Sequence, residues 1–244
     1  MEDRGAAKVV LVAGGTGGLG RAVSLAFVDA GAQVIVTFQR TGDLDELKNT
    51  AGAKLVEAEG ASLEGFALDV TDEAAVLKLM DGIVERHGRL DCLVNAVGGY
   101  AGGIKLWELE TRVFEQMMAM NLRAGFVLAR TAARVMVKQG SGAIVNVAAK
   151  AAVDHAAGAS AYAASKAAAV AMIDCLAADL KGTGVRANSI MPSIIDTAAN
   201  RRAMPKADFA KWPKPEEIAR VILFLCSDAA KLIQGAAVPV YGDS

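Results

Sequence analysis

The sequence predicts a doubly wound α/β fold, a parallel sheet with helices on both faces, built as a single domain. Three observations carry that prediction. Short β-branched runs alternate with segments of helical apolar spacing from one end of the chain to the other. A glycine-rich turn joins the first of these runs to the first helical segment. No stretch rich in Pro, Gly or Ser divides the 244 residues, a length that one α/β domain can fill. Parallel strands need crossover helices, and right-handed crossovers place those helices on both faces of the sheet.

Each element can be read in turn. Residues 8–13 form a β-branched strand that ends in glycines, and 21–30 have helical spacing. Strands follow at 33–38, 63–68 and 90–95, with a short helix at 43–49. Between the last two strands, 72–87 places Val76, Leu79, Met80 and Ile83 on one helical face, with Thr71 as its expected N-cap. Long helical patterns cover 111–139, with a break near Asn121, and 162–181. A buried strand lies between them at 142–147. The chain ends with strands at 185–190 and 236–240 around a helix at 215–227. The alanine-rich stretches at 148–152 and 163–171 read as close packing and helix propensity, not as a repeat.

Composition narrows the function. Hydrophobic residues are 53% and charged residues 22% of the chain, as in a globular protein with a large core. A formal net charge of −1 and the absence of a basic run predict neither nucleic acid nor membrane as a partner. The N-terminus lacks the regions of a signal peptide, and no apolar run is expected to span a bilayer. Cys92, Cys175 and Cys226 are scattered in apolar contexts. They read as buried reduced thiols and point to the cytoplasm. The helices at 111–139 and 162–181 are apolar on more than one stripe, so a second surface should cover them and a homo-oligomer is expected. No His/Cys/Asp/Glu group has metal-ligand spacing, so no metal is predicted.

The turn Ala13-Gly14-Gly15-Thr16-Gly17-Gly18-Leu19-Gly20 follows a strand and opens a helix. In that context glycines let the backbone approach a pyrophosphate, and the helix N-terminus offers free N–H groups. No Lys-Ser/Thr pair ends the loop, so it is not the phosphate loop of nucleotide triphosphatases. A dinucleotide is therefore expected. An acid at the end of the second strand would bind a ribose 2′-hydroxyl and repel a 2′-phosphate. Gln39 and Arg40 stand there instead, which favours NADP(H) over NAD(H). The plainer reading of Arg40 is a solvated loop cation.

Tyr162-Ala163-Ala164-Ser165-Lys166 places a phenol and an ammonium four residues apart on one helical face. The cation is expected to lower the phenol pKa from about 10 and make Tyr162 a proton donor to the group that receives hydride.

These motifs together resemble the short-chain dehydrogenase/reductase family over nearly the whole chain. Gly14, Gly18 and Gly20 match the three glycines of its loop, with Ala13 in place of Thr, and Thr16 and Leu19 lie among them. Asp69-Val70 matches its adenine-contacting pair, and Asn95-Ala96-Val97-Gly98 its Asn-Asn-Ala-Gly segment with the second Asn lost. Asn121 matches its helical Asn, and Tyr162 and Lys166 its catalytic pair. The run Pro192-Ser193-Ile194-Ile195-Asp196-Thr197 resembles the segment after its sixth strand. The resemblance implies a Rossmann domain and a nicotinamide-dependent oxidoreductase that forms dimers or tetramers. It implies catalysis by Tyr162, Lys166 and Asn121, a ribose contact from Lys166, and nicotinamide contacts from Ile195 and Thr197. A substrate loop would span about 192–214.

One departure is informative. The family places a catalytic Ser about a dozen residues before the Tyr, and this chain has Ala149 there. Losing such a donor typically costs about 10²–10³ in rate. Dihydropteridine reductases lack that Ser too, and several further runs resemble them. Gly98-Gly99-Tyr100-Ala101-Gly102-Gly103 is similar to their Gly-Gly-Trp-Ala-Gly-Gly. Ala149-Lys150-Ala151-Ala152-Val153-Asp154 is similar to their Ala-Lys-Ala-Ala-Leu-Asp. Asp196-Thr197 and the stretch from Met204 to Trp212 resemble their loop after the strand. Those animal enzymes carry the acid that Gln39 replaces.

The expected activity is hydride transfer to a carbonyl or quinonoid-imine substrate. Two alternatives are a general carbonyl or 3-oxoacyl reductase with a weakened site, and an inactive dinucleotide-binding sensor or scaffold. Tyr100 could stack on a flat substrate. His155 either lines the pocket or is an exposed loop histidine, and His87 reads as a helix-end residue. Trp107, Trp212 and Met204 fit either a lid or packing.

Overall fold

The computed structural model describes residues 7–58 and 60–243. Seven parallel strands form one sheet in the order β3-β2-β1-β4-β5-β6-β7. They are β1 (Val9–Ala13), β2 (Gln33–Phe38), β3 (Ser62–Ala67), β4 (Cys92–Asn95), β5 (Gly142–Val147), β6 (Val185–Pro192) and β7 (Ala237–Val240). The helices are α1 (Gly18–Asp29), α2 (Thr41–Glu57), α3 (Glu73–His87), α4 (Thr111–Met118), α5 (Ala124–Gln139), α6 (Ser160–Asp179), α7 (Ala198–Ala203) and α8 (Pro215–Leu225).

The alternation within β1 shows why the sheet is covered twice. Val10 and Val12 pack with Val23, Phe27, Ile218 and Ile222, on the face that carries α1 and α8. Val9 and Leu11 pack with Met80, Ile83, Leu128 and Ile173, under α3, α5 and α6. Successive side chains of a strand point to opposite faces, so an all-apolar strand needs a layer on each side.

The structure alters several sequence expectations. Asp72, not Thr71, caps α3: its carboxylate accepts from the Ala74 and Ala75 N–H groups at 2.9 and 3.2 Å. The Thr71 hydroxyl is taken by Asp69. Helix α2 runs to Glu57, well past residue 49, because Leu44, Leu47 and Ala51 repeat the apolar spacing and are buried. The break expected near Asn121 is a π-helical turn at Ala119–Arg123 between α4 and α5. Cys92 and Cys226 are buried, but Cys175 is exposed. Helix α6 is long and apolar enough to cross a membrane, which no segment was expected to be. Its composition reflects packing: Ala161, Ala163, Ala169, Ile173 and Ala177 are buried within the fold.

Candidate active site

The order of strands reverses between β1 and β4, so their connections leave the sheet in opposite directions and open a crevice at the carboxyl ends. The glycine turn lies on one side of that crevice. Gly14 has φ of +72°, a conformation open to glycine, and its N–H donates to the Thr37 hydroxyl at 3.0 Å. A Cβ on Gly20 would stand 2.0 Å from the Gly14 carbonyl oxygen, and one on Gly15 would stand 2.5 Å from Val36 Cγ1. The Ser24 hydroxyl ties the turn down by donating to the Gly15 and Gly20 carbonyls. Helix α1 begins at Gly18 with no side-chain cap on its first N–H groups. A glycine cradle that leads into an uncapped helix end fits a dinucleotide pyrophosphate. Thr16 and Leu19 belong to the same turn; Thr16 is half-buried and Leu19 is buried.

The other adenosine-side residues lie on the next two strands. Gln39 and Arg40 are exposed at the end of β2. Arg40 makes two hydrogen bonds of 3.0 Å to Asp43, one turn into α2. Asp69 accepts from the Thr71 N–H and hydroxyl, both at 2.8 Å, and these bonds hold its carboxyl below the usual range. Val70 beside it is buried. After β4, the Asn95 side chain donates to Asn146 at 2.9 Å and accepts from the Val97 N–H, while the Ala96 N–H donates to the Ala13 carbonyl. These bonds fix the chain between the two sides of the crevice.

Across the crevice, the polar groups are buried. Asn121 sits in the π-turn, and its amide donates to the Gly99 carbonyl and the Ser165 hydroxyl at 3.1 Å each. Its oxygen accepts from the Gly99 N–H at 3.0 Å. Ser165 in turn donates to the Tyr162 carbonyl at 2.7 Å. The chain Gly99–Asn121–Ser165–Tyr162 thus locks the turn after β4 to the first turns of α6. A Cβ on Gly98 would meet both Asn121 Oδ1 and Lys166 Nζ at about 3 Å, so three motif residues converge there.

The Tyr–Lys pair differs electrostatically from the sequence expectation. Lys166 is 5% exposed, and its ammonium donates to the Val147 carbonyl at 2.9 Å. Burial pulls its pKa down to about 8. Burial pushes the Tyr162 phenol up to about 12, with a smaller push from Tyr100, where a lowered value was expected. Both groups lose hydration, and the cation is spent on a carbonyl rather than on the phenol. Tyr162 is therefore fully protonated at neutral pH.

Tyr100 packs edge-on against the Tyr162 ring at 5.0 Å and is 67% exposed. Ala149 is buried at the end of β5, where it offers a methyl group and no donor. His155 is exposed in the loop before α6. The segment after β6 folds back onto the glycine turn. Pro192 is buried, the Ile195 carbonyl accepts from Asn200 at 2.8 Å, and a Cβ on Gly18 would meet Thr197 Cγ2 at 2.8 Å. Trp107 is 81% exposed, whereas Trp212 is buried against Phe209. His87 ends α3 and lies 3.7 Å from Glu64.

Sequence reasoning missed Thr37, Asp43, Asn146 and Ser165. The visible signal was a polar residue inside an otherwise apolar strand or helix face, as at Thr37, Asn146 and Ser165. Asp43 carried no signal, since its partner is known only from the fold.

Comparison with known proteins decides the family: the short chain dehydrogenase profile matches residues 8–208. The chain belongs to the short-chain dehydrogenase/reductase family. It is 34% identical to a D-threitol dehydrogenase of Mycolicibacterium smegmatis, over 96% of this chain and 92% of that protein. It is 31% identical to a 3-oxoacyl-[acyl-carrier-protein] reductase of Thermotoga maritima, over 96% of each. A short-chain type dehydrogenase/reductase from Mycobacterium ulcerans superposes with a TM-score of 0.92 at 26% identity, over 98% of this chain and 90% of that one. The chain is thus a single-domain Rossmann oxidoreductase that uses a nicotinamide dinucleotide.

Proposed function

We propose that this short-chain reductase uses NADP(H) to reduce a flat, electron-poor substrate of the quinonoid dihydropterin type. The observation that carries the reading is Ala149: a buried methyl stands where an oxyanion donor would be expected. A ketone develops a hard alkoxide and needs that donor. A quinonoid ring spreads its charge and needs only a proton.

Bound NADPH would supply the hydride. Gly14, Thr16, Gly18, Leu19 and Gly20 would hold its pyrophosphate, Arg40 with Gln39 its adenosine end, and Asp69 and Val70 its adenine. Asn95, Ala96, Pro192, Ile195, Thr197 and Lys166 would hold its nicotinamide end. Tyr162, protonated because burial holds its pKa near 12, would donate the proton from its hydroxyl oxygen. Asn121 would act by keeping α6 in place against Gly99. Tyr100, edge-on to Tyr162 and exposed, would form one wall for a planar ring. The exposed His155 and the loop from 192 to about 214 would complete the pocket.

The second reading is a reductase of ordinary carbonyls, favoured by the names of the two curated relatives. The experiment that separates the readings follows NADPH oxidation with a chemically generated quinonoid dihydropterin and with a reactive diketone. Turnover of the pterin should exceed that of the diketone, and Tyr162→Phe should reduce it by about 10²-fold or more. Diketone turnover that Ala149→Ser raises about 10²-fold, with no pterin turnover, would overturn the proposal. Tight dinucleotide binding without either turnover would favour a sensor or scaffold.

A homo-oligomer belongs to the same reading. Phe114 and Phe126 are 40% and 46% exposed beside Met118, Leu122 and Met172, forming an apolar groove along α4 and α5. Light scattering at micromolar concentration should report a dimer or tetramer, and a monomer would contradict this. Buried Cys92 and Cys226 fit a reducing cytoplasm.

A further inference from the structure

We infer that a cleft at the amino ends of β1, β4, β5 and β6, across the sheet from Tyr162, binds a small phosphate polyanion. The cleft has a volume of about 620 Å³, and five cations line it: Lys8, Arg89, Lys181, Arg186 and Lys231. Only Asp91 and Asp228 oppose them, which leaves three positive charges in a chain whose formal net charge is −1. These residues come from four separate stretches of the chain, so no basic run betrays them in the sequence.

The charges are not all consumed by the fold. Arg89 is matched by Asp91 at 2.5 Å, and Asp91 also accepts from the Val9 N–H. Lys8 donates to the Cys226 carbonyl at 3.3 Å, and Arg186 Nη2 to the Ser227 carbonyl at 3.0 Å. Those two bonds cap the carboxyl end of α8, and helix capping alone could explain them. Capping does not explain Arg186 Nη1, which is buried with no hydrogen-bond partner among the described residues. A guanidinium nitrogen left unsatisfied out of water costs free energy, and turning the Arg186 side chain into the adjoining cleft to meet an oxyanion would offset that cost. Lys181 and Lys231 are exposed on the rim and form no ion pair among the described residues. A compound with several charged oxygens suits cations that converge from separate elements, because each phosphate group accepts from more than one donor. The volume is that of a small-molecule site.

Isothermal titration of the protein with inorganic pyrophosphate tests the site. Pyrophosphate could also enter the glycine turn, so the deciding comparison is with Lys181→Gln/Lys231→Gln, two rim changes at the opposite end of the sheet from that turn. Affinity should fall about tenfold or more in the double variant and further in Arg186→Gln. Asp228→Asn should tighten binding by about two- to fivefold by removing the unmatched carboxylate. Equal affinity in the wild type and the double variant would overturn the inference. So would no binding at all, or an equal response to sodium sulfate at matched ionic strength.

Discussion

On one side of the β1–β4 crevice, the candidate recognition groups are backbone and surface charge. The glycine turn offers N–H groups, and Arg40 stands 82% exposed with its carboxylate partner beside it. On the other side, Asn121, Ser165 and Lys166 are at most 5% exposed, and hydrogen bonds fix all three to neighbouring elements. The contrast is one of dielectric. An exposed ion pair contributes little and can be exchanged with little cost to the fold. A buried ammonium has its protonation set by its surroundings, so its chemistry cannot be separated from the packing that holds it.

The sharpest way to break the comparison is to fill the cradle. Gly18→Val places carbon where Thr197 Cγ2 already lies, 2.8 Å from a Cβ. Dinucleotide affinity should fall by about a hundredfold, and the melting temperature should drop modestly because Thr197 must shift, with the folded state retained by circular dichroism. Unchanged affinity would remove the glycine turn from the site.

The pH profile tests the buried side. Lys166 is charged below its pKa of about 8 and loses its proton above it. Dinucleotide affinity should therefore be level from about pH 6 to 7.5 and fall above about 8, losing up to tenfold per pH unit. Lys166→Met should flatten that limb. For the fold itself the sign is opposite. A lysine whose pKa is lowered on folding holds fewer protons folded than unfolded, so its contribution to stability rises between about pH 8 and 10.5. A limb that remained in Lys166→Met would assign it to another group.

The exposed side should respond more weakly and selectively. Arg40→Ala is expected to weaken NADPH by about tenfold and NADH by less than about twofold. Asp43→Asn should do the reverse on a smaller scale. It removes the partner's charge and one of the two acceptor oxygens, and should tighten NADPH by about two- to fivefold. Equal changes for both dinucleotides in either variant would refute a 2′-phosphate contact at Arg40.

What the sequence determined by itself is what local periodicity and spacing encode. The continuous β-branched run of β1 and the helical spacing of Val76, Leu79, Met80 and Ile83 are properties of neighbouring residues. The parallel sheet, the glycine turn, and the four-residue step from Tyr162 to Lys166 were therefore legible. What only the tertiary structure decided depends on which distant residues share a low-dielectric space. Thr71 lost its capping role to Asp72 because Asp69 claimed its hydroxyl. Tyr162 rose instead of fell because burial strips its phenol of water, with a smaller push from Tyr100, while the Lys166 ammonium donates to the Val147 carbonyl. The Arg40–Asp43 pair and the basic cleft around Arg186 are likewise made by chain folding, since charge adds through space and not along the sequence.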